Sequence, residues 1–230
     1  MKTTTTFIYN VLAAVALLLC SMQGFSQDCV SCDTLMKNIR LGFNNTVNNS
    51  WEEQTILGNN NTTSQNNAVV IGTNSMASRS HSYIFGSFSE SNGLHSYVIG
   101  SNSIADKTDN FAIGNTAQSM SGNGFAIGNY TKSFAEGAYV LGLGRSLSIP
   151  LENTVKNSLA IGFKSNVPTL FVSESPDVNR TGSIGIGNVT DPQAKLHIRA
   201  DEEEHATLRL EATGSNKHSR LYFSDDIYLT

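Results

Sequence analysis

Between Thr55 and Leu143 the apolar positions come in triplets set apart by polar stretches. They are Val69-Val70-Ile71, Tyr83-Ile84-Phe85, Tyr97-Val98-Ile99, Phe111-Ala112-Ile113, Phe125-Ala126-Ile127 and Tyr139-Val140-Leu141. A glycine closes each triplet, and Gly58, Gly72, Gly86, Gly100, Gly114, Gly128 and Gly142 follow one another at intervals of 14. Small residues recur three and five places after the glycine: Ser75 and Ala77, Ser89 and Ser91, Ser103 and Ala105, Ala117 and Ser119, Thr131 and Ser133. The phase resumes at Leu159-Ala160-Ile161-Gly162 after a six-residue insertion. At about 3.3 Å per residue in a strand, such a period is too short for a helix-turn-helix unit or a propeller blade. It suits one coil of a solenoid, made of two strands of about four or five residues and two tight turns. Glycine fits the corner because it takes positive φ and admits a close neighbouring backbone. Stacked coils then pair in parallel, each strand with its equivalent one repeat away. The prediction is an all-β parallel solenoid.

Alternate residues of a strand point to opposite faces, so a strand with one wet face reads apolar-polar-apolar. Here all three positions of each triplet are apolar, which predicts burial on both faces. One face lines the thin coil interior, opposite the small Ser and Ala residues. No helical pattern in the chain is available to cover the other, so the expected partner is a second copy and the expected state a homo-oligomer.

The runs Ala112-Ile113-Gly114-Asn115-Thr116-Ala117-Gln118-Ser119 and Ala126-Ile127-Gly128-Asn129 resemble the head repeats of YadA-like trimeric autotransporter adhesins. The resemblance covers about Thr55 to Leu143 and returns near Ala160-Ile161-Gly162. It implies a left-handed parallel β-roll with 14-residue coils, three chains packed side by side as a homotrimer, and binding to host or cell-surface matrix protein or glycan. Such adhesins usually carry a coiled-coil stalk and a barrel anchor. No sustained heptads occur here, and Tyr222 to Thr230 are too short to supply barrel strands, so no integral membrane anchor is expected.

Composition agrees with a turn-rich β protein. The 230 residues include 28 Ser, 24 Asn and 19 Gly, and only 15% are charged. Asn and Ser are poor helix formers because their side chains compete for backbone hydrogen bonds. With 15 Lys+Arg against 19 Asp+Glu, nucleic-acid binding is not the expected role. Lys2, the apolar run Val11 to Cys20, and Gly24 and Ser26 before Gln27 read as a signal peptide over residues 1–26. An exported, extracellular or outer-surface location follows, and there Cys29 and Cys32 read as a disulfide within or between chains. Residues 27–54 are expected to be a cap or linker, with Asp33 to Asn49 a candidate cover for the open end of the roll at 55–166.

A different composition sets in beyond. Residues 55–142 hold 7 charges, whereas 193–226 hold 12 in a much shorter span. The segment Ile184-Gly185-Ile186-Gly187-Asn188, followed by Pro192 and Ala194-Lys195-Leu196-His197, resembles a segment of phage tail-fibre and tailspike-like proteins that precedes their chaperone domain. Residues 167–230 are therefore expected to form a β-rich tail. Leu196-His197-Ile198, Leu208-Arg209-Leu210 and Leu221-Tyr222-Phe223 read as short strands.

No catalytic, cofactor or metal constellation emerges from the pattern. His81 and His95 stand 14 apart, with Asp109 next, so they form a column on adjacent coils. A metal or pH-sensitive ladder is one reading. A turn column is the plainer one, since Asn123 and Gly137 continue it. Asp201 to Glu204 reads as a solvated acidic turn, and the spacing of a calcium loop is absent. Gly142 and Gly144, like Gly185 and Gly187, lack the following helix a dinucleotide site needs. Acyltransferase β-helices have a six-residue period, which does not divide 14, and ice-binding solenoids want regular Thr columns. The expected function is a secreted or surface-exposed adhesin-like head that catalyses nothing. Its binding groups would include Asn59, Asn74, Asn102, Asn115 and Asn129 beside the glycine turns. The alternative is a purely structural fibre or appendage subunit of phage-tail type.

Overall fold

A computed structural model describes residues 38–48, 52–213 and 218–221. Residues 1–26, read above as a signal peptide, and Cys29 and Cys32 lie outside the described residues. Those described form strands, turns and irregular segments, with no helix.

Each coil contributes one longer and one shorter strand. β1 (Ile39–Leu41) and β2 (Thr46–Val47) make the first coil, followed by β3 (Thr55–Asn59) with β4 (Thr62–Thr63) and β5 (Val69–Thr73) with β6 (Met76–Ala77). Next come β7 (Tyr83–Ser87) with β8 (Glu90–Ser91), β9 (Tyr97–Ser101) with β10 (Ile104–Ala105), and β11 (Phe111–Asn115) with β12 (Gln118–Ser119). β13 (Phe125–Asn129) with β14 (Thr131–Ser133) and β15 (Tyr139–Leu143) with β16 (Leu151–Asn153) complete the pairs, and β17 (Leu159–Phe163) is the last parallel long strand. The expectation of two strands of similar length is corrected here. One side carries strands of three to five residues, the other strands of two or three. The difference lies in the corners, which take up most of the residues left after the long strand.

The long strands align in one 12-stranded sheet and the short strands in a parallel 8-stranded sheet. From β3 to β15 each long strand bonds its equivalent 14 residues on, with Gly58 opposite Gly72 and Gly72 opposite Gly86. Between β15 and β17 the step is 20, since Tyr139 pairs with Leu159. The extra six residues form a small projection closed by the Arg145 N–H on the Ile149 carbonyl at 2.9 Å. At the other end Ile39 pairs with Thr55, a step of 16. The roll thus starts upstream of Thr55, inside the stretch expected to be a cap.

The interior is thin and partly polar. The middle residue of each apolar triplet points inward, and Ile56, Val70, Ile84, Val98, Ala112, Ala126 and Val140 are buried. Opposite them lie Ala77, Ser91, Ala105, Ser119 and Ser133, also buried. A second inner column runs Asn45, Asn61, Ser75, Ser89, Ser103 and Ala117. Its side chains connect neighbouring coils: Ser75 Oγ accepts from the Ser89 N–H at 3.2 Å and donates to the Gly86 carbonyl at 3.2 Å. Asn61, Ser89 and Ser103 repeat this two-way link, so the buried hydroxyls and amides are satisfied within the column.

Beyond β17 the parallel pattern ends. β18 (Leu170–Val172) turns back antiparallel to β17, β19 (Ile184–Ile186) is antiparallel to β18, and β20 (Leu196–Ile198) runs parallel to β19. Phe171 and Val189 are buried under this end. The strand expected at Leu196-His197-Ile198 is present. The one expected at Leu208-Arg209-Leu210 is not: Leu208 and Leu210 are exposed and no neighbouring strand bonds them. Of Leu221-Tyr222-Phe223 only Leu221 is described, and it carries no strand.

Candidate interaction surfaces

The first and third residues of each triplet stand on the outer face of the long sheet. One column runs Val69, Tyr83, Tyr97, Phe111, Phe125, Tyr139 and Leu159, held in register by the parallel pairing. Because successive strands lie about 4.8 Å apart, its rings stack. The centroids are 4.9 Å apart for Tyr83 and Tyr97, 4.7 Å for Tyr97 and Phe111, and 4.5 Å for Phe111 and Phe125. Phe125 meets Tyr139 edge-on at 4.6 Å. Beside this column run Leu57, Ile71, Phe85, Ile99, Ile113, Ile127, Leu141 and Ile161. In the single chain this face is open: Phe85 is 46% exposed, Ile99 47% and Leu141 42%. The outer side of the short sheet is instead mostly polar, with Thr62, Glu90, Gln118, Lys132 and Glu152.

The glycines expected at turns are instead the fourth residue of each five-residue long strand, one position before its end and paired in the ladder. At Gly100 φ is +137°, and a Cβ would fall 1.7 Å from the Gly114 carbonyl oxygen. Gly58, Gly72, Gly86, Gly114, Gly128 and Gly142 abut the next glycine's carbonyl in the same way. Gly162 differs, since its nearest neighbours are the Leu151 side chain and the Val167 carbonyl. No further parallel coil stacks on it. Gly42 belongs to the set, 1.9 Å from the Gly58 carbonyl by the same measure, and was missed because its step is 16.

Two corner columns have left-handed backbone, nearly all of it at residues other than glycine. One contains Asn60, Asn74, Phe88, Asn102, Thr116 and Tyr130, all at φ of 54–56°. The proposed binding asparagines therefore fall into two groups. Asn74 and Asn102 sit at left-handed corners, whereas Asn59, Asn115 and Asn129 end strands. Asn59 and Asn129 accept backbone N–H groups from Phe43 and Asn115 at 2.9 and 3.0 Å, a structural duty.

The other left-handed column holds Asn67, His81, His95, Asp109 and Asn123. The His81 and His95 rings lie 4.9 Å apart, tilted by 52°. Asn67 Nδ2 is 3.3 Å from His81 Nε2, and His95 Nδ1 is 3.5 Å from Asp109 Oδ1. His, Asn and Asp are enriched at positive φ, so backbone conformation alone accounts for this column. Among the described residues no group of three or more His, Cys, Asp and Glu is placed to hold a metal ion. Further along the same edge, the Lys156 ammonium donates to the Glu136 carboxylate at 2.9 Å, which raises its pKa above the usual lysine range. No helix among the described residues is long and apolar enough to cross a membrane. No protein-family model, curated protein or solved structure matches this chain.

Proposed function

We propose that the chain is an exported, surface-exposed adhesin-like head that catalyses nothing, self-associates as a homotrimer through the outer face of its long sheet, and binds cell-surface or matrix polymers. The observation that carries the reading is the double apolar column. From β3 to β17 it spans eight strands, about 34 Å long and 13 Å wide at ordinary strand dimensions. That is on the order of 450 Å², comparable to the largest apolar patch of a typical monomer, which is often functional. A second copy is the economical cover, because two regular ribbons of equal pitch match along their whole length. The resemblance to trimeric adhesin heads supports three copies. Polymer binding then falls to the polar corners and the short-sheet face, each repeated three times, so that weak contacts add through avidity.

Sedimentation of the purified mature chain tests the assembly, with a single species of three chains expected. A well-folded monomer at micromolar concentration would remove the basis for the reading. Binding to immobilised matrix and cell-surface polymers tests the adhesive role. A trimer that bound none of them would favour the structural-fibre alternative.

A further inference from the structure

Two of the three Lys and Arg residues between positions 55 and 142, Arg79 and Lys107, meet at one notch. Gln65, Arg79, Gly93 and Lys107 follow one another at steps of 14, at the turn after each short strand. Gly93 leaves its place in that column empty. A Cβ there would fall 1.8 Å from the Lys107 carbonyl oxygen, so the fold itself keeps any side chain out. The result is an open notch of about 700 Å³ over Gly93, lined by Gln65, Arg79, Asn92, Leu94, Asp106, Lys107 and Thr108.

Its chemistry is that of a guanidinium and an ammonium with one carboxylate, Asp106, and neutral polar groups around them. Arg79 has no hydrogen-bond or ion-pair partner among the described residues. Lys107 shares the carboxylate of adjacent Asp106 at 2.9 Å, leaving the three groups with a net charge of one positive. Arg79 and Lys107 stand two coils apart, about 10 Å along the axis, so both can reach an anionic group seated over Gly93. Gln65 Oε1 already accepts from Ser80 Oγ at 3.3 Å, which directs its amide nitrogen to act as donor. Asn92 is fixed by Ser78 Oγ at 3.1 Å and Glu90 Oε2 at 3.3 Å. Leu94, 40% exposed, offers a small apolar contact.

The corner backbone is already committed. The Asp109 N–H donates to the Leu94 carbonyl at 2.9 Å, and the Gly93 carbonyl accepts from Ser82 and Ser96 Oγ at 3.0 and 2.7 Å. A peptide main chain finds no open ladder here. Side-chain amides, a hydroxyl and one apolar group around an unpaired guanidinium suit a sugar ring instead.

We propose that this notch binds a carboxylate- or sulfate-bearing sugar unit of an acidic glycan, with Arg79 and Lys107 holding the anionic group. The proposal rests on the adhesive reading and names its ligand class. The full mature chain is passed over immobilised oligogalacturonate, sulfated glucan oligomers, uncharged glucan oligomers and polyglutamate, with binding read by surface plasmon resonance. Binding to an acidic saccharide is expected, weakening as salt rises. Arg79→Gln and Lys107→Gln are each expected to weaken it by about fivefold, and the double variant by more. Arg209→Gln, at an exposed guanidinium 2.8 Å from Glu211 in the tail, leaves it unchanged. Circular dichroism confirms that each variant is folded. Equal binding of the uncharged glucan, tighter binding of polyglutamate, or undiminished binding by the double variant overturns the proposal. If the double variant loses nothing against a matrix polymer that the parent binds, this site fails and the adhesive reading stands. If the parent binds no polymer at all, both fail.

Discussion

Gly100 and Gly122 separate the two reasons a glycine appears in this chain. Gly100 combines φ of +137° with a carbonyl 1.7 Å from where a Cβ would sit, whereas the nearest atom at Gly122 is 3.8 Å away. Gly100→Ala is expected to destabilise the fold by about 3 kcal/mol, because the strained backbone and the next strand must both give way. Gly122→Ala is expected to stay within about 1 kcal/mol of the parent or to gain slightly. Urea denaturation of the two variants checks the pair. The glycine column is legible in sequence because one steric demand returns at a fixed interval and one residue type meets it. The left-handed corners are not legible in that way. Phe88, Thr116 and Tyr130 share with Asn74 and Asn102 a φ near 55°, but no chemistry that a pattern search would group. For His81 and His95 the plainer reading, a turn column, agrees with the positive φ of that corner.

The coil is the unit in which the chain tolerates change, and its insertion shows the rule. Tyr130 and Thr131 are adjacent in one coil, while their equivalents Gly144 and Leu151 are separated by residues 145–150 in the next. The Leu151 N–H still bonds the Tyr130 carbonyl at 2.9 Å, so the projection leaves the ladder intact. Deleting residues 145–150 is expected to keep the fold and its cooperative melting, with stability altered by about 1 kcal/mol or less. Loss of the β signal in far-ultraviolet circular dichroism would contradict this. The 14-residue register from β3 to β15 was readable from Gly58 through Gly142. The first coil was hidden because its step is 16. The unequal strand lengths were also hidden, since the pattern marks which residues face inward but not how many hydrogen bonds each side closes. In the tail, apolar alternation at Leu208 and Leu210 suggested a strand, but alternation supplies no neighbour to pair with.

For the whole molecule, the outer face of the long sheet is where a charge has the largest effect on assembly and the least on the chain itself. Ile99 is 47% exposed and points away from the interior, so Ile99→Lys is expected to fold normally. In the proposed trimer the lysine would be carried unpaired into an apolar contact, which costs several kcal/mol, and association is expected to weaken by about tenfold or more. Sedimentation across a concentration series reads the shift, and an unchanged species distribution would place the interface elsewhere. A different property follows from the stacking of the coils. Their ladder hydrogen bonds run along the rod, so a pull between its two ends meets them in series rather than in parallel. Coils then peel away singly, each freeing 14 residues or about 50 Å of slack. Under tension such a rod lengthens in steps and dissipates work gradually, where a sheet loaded in shear would hold and then break at once.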